Sequence, residues 1–105
     1  MDSQSGDEQP TVRLDWILQN IEVIEGHLTL YSFNGQAIDP STIVVLVDEE
    51  VRVPPEGTSY FLEVETAKDV IRVWRSWRNG QEPSDDEACE ALAYYAEYDA
   101  YLPVP

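Results

Sequence analysis

Histidine and cysteine are nearly missing from this sequence, which has one of each, His27 and Cys89, in 105 residues. A lone thiol closes no intramolecular disulfide, and that points to a reducing compartment. Metal sites and nucleophilic catalysis need convergent His, Cys and carboxylate groups. No such set stands at a workable spacing here, so no metal, no cofactor and no enzymatic activity is expected. Basic residues are also scarce: 6 Lys and Arg face 21 Asp and Glu, for a formal charge of −15. Affinity for nucleic acid comes mainly from Lys and Arg neutralising phosphates, so direct nucleic-acid binding is not expected, and an anionic membrane surface repels the chain for the same reason. The longest apolar run, residues 43–47, falls far short of the roughly 20 residues that span a bilayer. Residues 1–10, MDSQSGDEQP, lack the basic start and apolar stretch of a signal peptide. The expectation is a cytoplasmic protein.

The apolar residues, 43% of the chain and including three Trp, six Tyr and two Phe, are too many for a disordered acidic tail. A chain of this size has room for one core, because it buries only about 60–70% of its unfolded surface. Residues 1–10 read as a flexible acidic lead-in, and 11–105 as one domain. Leu14, Ile17, Leu18, Ile21 and Ile24 recur at helical spacing, with Thr11 as the N-cap and Gly26 as the stop. Residues 28–33 alternate as a strand closed by Asn34-Gly35, a hairpin dipeptide, although Asp39-Pro40 leaves room for a longer connection. The β-branched stretch 42–47 predicts a buried strand, and 60–64 a further one. Thr66 opens a second helix with Asp69 as its acidic partner. On it Ala67, Val70, Val73, Trp74 and Trp77 fall on one side, and Lys68, Arg72, Arg75 and Arg78 on the other. Ser84 with Glu87 makes a capping box for a third helix, whose apolar face is Ala88, Ala91, Leu92, Tyr95 and Ala96. The fold class is therefore α+β: one small domain with a helix, a three-strand antiparallel or mixed sheet, and two C-terminal helices.

Individual chemical groups read as structural. His27 stands at a turn with no carboxylate placed to orient it, and Cys89 is a small packing residue whose acidic neighbours blunt its thiolate. Trp16, Trp74 and Trp77 read as core. Asp48, Glu49 and Glu50 follow a strand without the spacing of a calcium loop, and Asp85, Asp86 and Glu87 complement the dipole of the third helix.

The total charge is less easily explained, since solubility asks for a net charge of only about 2–8 units in a small domain. A basic protein partner accounts for the surplus, because opposite charge steers association. Four of the six cations lie in 68–78, whereas 82–99 holds seven acids and no base. Tyr94 and Tyr98 lie toward the acidic side of the third helix, where rings add contact area and acids add orientation. The expected partner-binding residues are Asp48, Glu49, Glu50, Asp86, Glu90, Tyr94, Glu97 and Tyr98, with the basic stripe Lys68, Arg72 and Arg75 as the rival surface, on a monomer or weak dimer.

The stretch Glu90-Ala91-Leu92-Ala93-Tyr94-Tyr95-Ala96-Glu97-Tyr98-Asp99-Ala100-Tyr101-Leu102, together with Leu14-Asp15-Trp16-Ile17-Leu18, resembles an uncharacterised family of small acidic bacterial proteins. Its members often end in a Glu-Ala-Leu-x-Tyr-Tyr, then Asp-Ala-aromatic, pattern. The likeness spans residues 11–102 loosely and is carried by roughly the last fifteen. It implies kinship with immunity proteins of contact-dependent or polymorphic toxin systems, which bind and neutralise a cognate toxin. It supplies no catalytic residues. A phage- or plasmid-encoded DNA mimic that inhibits a host nuclease or defence complex is the alternative expectation.

Overall fold

A computed structural model describes residues 11–48 and 55–104. Its elements are β1 (Thr11–Arg13), α1 (Leu14–Gln19), β2 (Thr29–Phe33), β3 (Ile43–Val47), β4 (Thr58–Glu63), α2 (Val64–Ser76) and α3 (Asp85–Tyr98). The domain is α+β, with a four-stranded sheet in the order β1-β3-β2-β4 and every neighbouring pair antiparallel. The expected three strands thus become four.

The additional strand comes from the residues expected to cap the first helix. Thr11 does not cap α1; it pairs with Val45 at the edge of the sheet. The ladder runs on into the helix, where the Leu14 and Asp15 amides donate to the carbonyls of Thr42 and Pro40 at 2.7 and 2.9 Å. α1 is also shorter than the apolar spacing suggests. The Asn20 side chain donates back to the Trp16 carbonyl at 2.9 Å, a local bond that competes with helix continuation. The chain proceeds through turns that still bury Ile21 and Ile24. The spacing identified the buried residues correctly but overstated the helix. Trp16, read as core, is 46% exposed.

β3 lies inside the sheet, and Val44, Val45, Leu46 and Val47 are all buried. An uninterrupted apolar run of this kind suits a strand covered on both faces. A bulge in the β2–β4 pairing leaves Phe61 between the Leu30–Leu62 and Tyr31–Tyr60 pairs. The extra residue lets Phe61 and Leu62 both enter the core, where they meet Leu14, Ile17, Leu30, Val44, Val70, Trp74 and Leu92.

α2 starts at Val64, two residues before the expected Thr66 cap. No side chain caps it. Its first amides are satisfied by the loop before β2 instead, Val64 donating to the Leu28 carbonyl at 2.9 Å and Glu65 to that of Gly26 at 3.2 Å. Its buried residues are Val64, Ala67, Val70, Ile71 and Trp74, so the inward face is rotated slightly and Trp77, expected inside, is 49% exposed. The helix ends as expected near Asn79-Gly80, both at positive φ, with the Gly80 amide returning to the Arg75 carbonyl at 2.8 Å.

Candidate protein-binding face

α3 forms because its first turn is capped on both sides. The Glu87 amide donates to Ser84 Oγ at 3.1 Å, and the Ser84 amide donates to Glu87 Oε1 at 2.9 Å. These bonds satisfy two of the donors that any helix start leaves open. Ala88, Cys89, Ala91 and Leu92 form the buried side, and their small size lets the helix sit close against α1 and α2. Ala96, expected on that side, is exposed.

Two turns of small inward residues leave the opposite side to Asp86, Glu90, Tyr94 and Tyr98, spaced four residues apart and hence stacked along one line. Glu97 flanks that line. Asp86, Glu90 and Glu97 are exposed, and Tyr98 is 57% exposed. The rings of Tyr94 and Tyr98 stand 4.6 Å apart at 45°. The charge of Glu97, and a hydrogen bond to it, push the Tyr98 phenol up. Five of the eight expected site residues therefore share one face, and α3 carries no cation.

Asp48 is not one of them. It leaves β3 beside His27, whose Nε2 lies 3.4 Å from Asp48 Oδ2 and 3.4 Å from Glu25 Oε1. His27 thus does have carboxylates beside it, contrary to the expectation from sequence. Asp48 is brought there by the sheet, a contact that sequence spacing does not register. Glu49 and Glu50, like the lead-in 1–10, lie outside the described residues.

Two of the three residues of the rival basic stripe, Arg72 and Arg75, are paired inside the fold. Arg72 pairs with Asp69. Arg75 reaches Glu82 at 2.9 Å and Glu22 at 3.8 Å. The Arg78 guanidinium lies 4.3 Å from the centre of the Trp74 ring and donates to the carbonyls of Trp74 and Pro103 at 3.2 and 3.4 Å. Arg13 is paired with Asp15 at 3.0 Å, which lowers the Asp15 carboxyl. Lys68 has no ion pair among the described residues.

Cys89 is buried. Burial, and then the carboxylates of Asp85, Asp39, Asp86 and Asp15, push its thiol up to about 12, so at neutral pH it carries no nucleophilic thiolate. Among the described residues no group of three or more His, Cys, Asp or Glu is placed to hold a metal ion. Among the same residues no helix is long and apolar enough to cross a membrane.

Sequence reasoning missed a cleft of about 200 Å³ beside this face. It is lined by Tyr60, Phe61 and Leu62 of β4, Thr66 of α2, and Tyr95, Ala96, Glu97 and Asp99. The bulge in β4 and the left-handed Asp99 (φ 55°) that ends α3 shape it, and neither is visible in residue spacing. No family model, no curated protein and no solved structure matches the chain.

Proposed function

We propose that this chain is a small acidic protein-binding module, a bacterial immunity protein acting in the cytoplasm. In this reading it neutralises a basic toxin domain by covering the toxin's active or substrate-binding face. One observation carries the reading: the outward side of α3 sets Asp86, Glu90 and Glu97 beside Tyr94 and Tyr98, with no cation on the helix. Carboxylates on a rigid helix stand in for the phosphates or acidic groups that a basic active site attracts. The tyrosines add apolar contact that excludes water around the ion pairs, which strengthens them. The role is non-catalytic and needs no cofactor.

The test begins with capture from the lysate of a native host, using the wild-type chain and a triple variant Asp86→Lys, Glu90→Lys, Glu97→Lys as baits. A protein held only by the wild type is identified and its domain expressed. The reading expects a basic domain whose toxicity is relieved by co-expressing the wild-type chain and not the variant. It also expects an association rate that falls about tenfold or more from low salt to roughly 0.5 M, while dissociation changes less. Capture of a host nuclease or defence protein in place of a toxin replaces the immunity role with that of a DNA mimic. Equal capture by both baits overturns the assignment of α3 as the interface.

A further inference from the structure

Resting on the reading of a basic partner, we infer that the cleft between β4 and the end of α3 is an anchor pocket for one arginine side chain of that partner. Three features of the cleft lead there. First, it is an open recess of about 200 Å³ lined by Tyr60 and Tyr95 together with the buried Phe61 and Leu62. β4 is an edge strand with β2 on one side and no described strand on the other, so a partner's chain can approach along it.

Second, its charge is one-sided. Glu97 and Asp99 line it, and Glu63 follows Leu62 at the end of β4. None of these three carboxylates is in an ion pair among the described residues, although Arg13, Arg72 and Arg75 all are. The field they make is felt by the neighbouring phenols. Burial first and then Glu63, Tyr31 and Asp99 raise Tyr60, and burial first and then Asp99 raise Tyr95.

Third, the mixture of rings and carboxylates selects the guanidinium over the ammonium. A planar guanidinium stacks on an aromatic face while its edge N–H groups reach carboxylates, whereas an ammonium is a compact, strongly hydrated point charge. The protein already uses this arrangement internally, where Arg78 stacks on Trp74. Tyr60, 57% exposed, offers a second such surface, with no cation on it among the described residues. An arginine entering the cleft lays its guanidinium on the Tyr60 ring and turns its edge N–H groups toward Glu97 and Asp99.

The probe is the capped tripeptide Gly-Arg-Gly, titrated into the labelled full chain and followed by backbone amide shifts. Its control carries citrulline, which keeps the shape and loses the charge. The expected result is saturable binding at millimolar concentration, with shifts centred on Tyr60, Ala96, Glu97 and Asp99, weaker with Gly-Lys-Gly and absent with citrulline. Glu97→Gln and Asp99→Asn each weaken it by about threefold to fivefold, the worth of one exposed ion pair. Asparagine suits the left-handed backbone at 99. Tyr60→Leu keeps every charge and also weakens binding, while Glu82→Gln, just before the end of α3 far from the cleft, leaves it unchanged. Unaltered dispersion of the remaining amides shows that each variant is folded. Equal shifts with citrulline, shifts spread evenly over Asp86 and Glu90, or full binding by Glu97→Gln overturn the pocket. Loss of the pocket with capture through Asp86 and Glu90 intact leaves the binding-module reading standing, so the two failures are distinguishable.

Discussion

α2 and α3 are both amphipathic helices packed on the same side of the sheet, yet their charges have opposite fates. Apart from Lys68, the outward cations of 68–78 are held within the fold: Arg72 by Asp69, Arg75 by Glu82 and Glu22, Arg78 by an indole and two carbonyls. Among the described residues the outward anions of α3 have no cationic partner; Glu87 closes the capping box and Glu97 accepts a hydrogen bond from the Tyr98 phenol. A charged stripe in a sequence can thus be a brace or an interface, and the partners available in three dimensions decide which. In this chain acids outnumber bases by more than three to one, and among the described residues Arg13, Arg72 and Arg75 are each paired with a carboxylate while most carboxylates have no cation beside them.

The largest effect expected lies on the inner side of α3, where the comparison of surface charges does not apply. Leu92 is fully buried among core residues. Leu92→Asp puts a carboxyl into that core, where losing the packed side chain and burying an unpaired polar or charged group together cost as much as the marginal stability of a small domain. The far-ultraviolet circular dichroism of this variant should be that of an unfolded chain. A cooperative melt near the wild-type temperature contradicts the packing described here.

On the outer side the same helix should tolerate charge reversal. Glu90→Lys with Glu97→Lys, both beyond the first turn, is expected to change unfolding free energy by no more than about 1 kcal/mol, as surface substitutions away from special features do. Binding to the cognate partner should weaken by about 2–5 kcal/mol for each reversed group whose ion pair is buried in the complex, and by much less at its rim. Calorimetric titration of partner into variant, beside urea unfolding of the variant alone, separates the two quantities. Wild-type affinity in the double variant makes the acidic face a solubility device and returns attention to Lys68.

Between those extremes stands the helix start. Ser84→Ala removes the acceptor for the Glu87 amide and should cost about 1 kcal/mol, the usual worth of an N-cap. Urea denaturation should show this loss while partner affinity is unchanged, because Ser84 lies outside the stripe. A cost near zero means that the first turn is held by packing alone.

How far these contrasts were legible in sequence depended on whether the signal was local. The Ser84–Glu87 box, the inward Leu92, the β-branched strand β3 and the stop at Asn79-Gly80 each depend on residues within a turn or two, and each was read correctly. Strand β1 was not, because Thr11 is an acceptable N-cap by residue type and only pairing with Val45, 34 positions away, makes it a strand. The start of α2 escaped for the same reason, its amides being satisfied by Gly26 and Leu28. Of the candidate face, the five residues on α3 follow from helical periodicity alone. Their separation from Asp48, and the cleft closed by Tyr60 and Asp99, depend on how β3, β4 and α3 are arranged in space.

The smallest effect expected is the one that bears most directly on the brace-or-interface distinction. Arg75 is mostly covered, its side chain 31% exposed, while Glu82 and Glu22 are 71% and 75% exposed. Its ion pairs are therefore well solvated on the acid side, and Arg75→Gln should cost no more than about 1 kcal/mol of stability, with the loss shrinking as salt is raised. The substitution also takes the formal charge from −15 to −16, by removal of one cation from the total. If α2 is only a brace, association with a basic partner should be unchanged or slightly faster at low salt, since steering grows with the opposing charge. An association rate that falls on Arg75→Gln, with stability intact, means that α2 touches the partner and that the two helices share the interface.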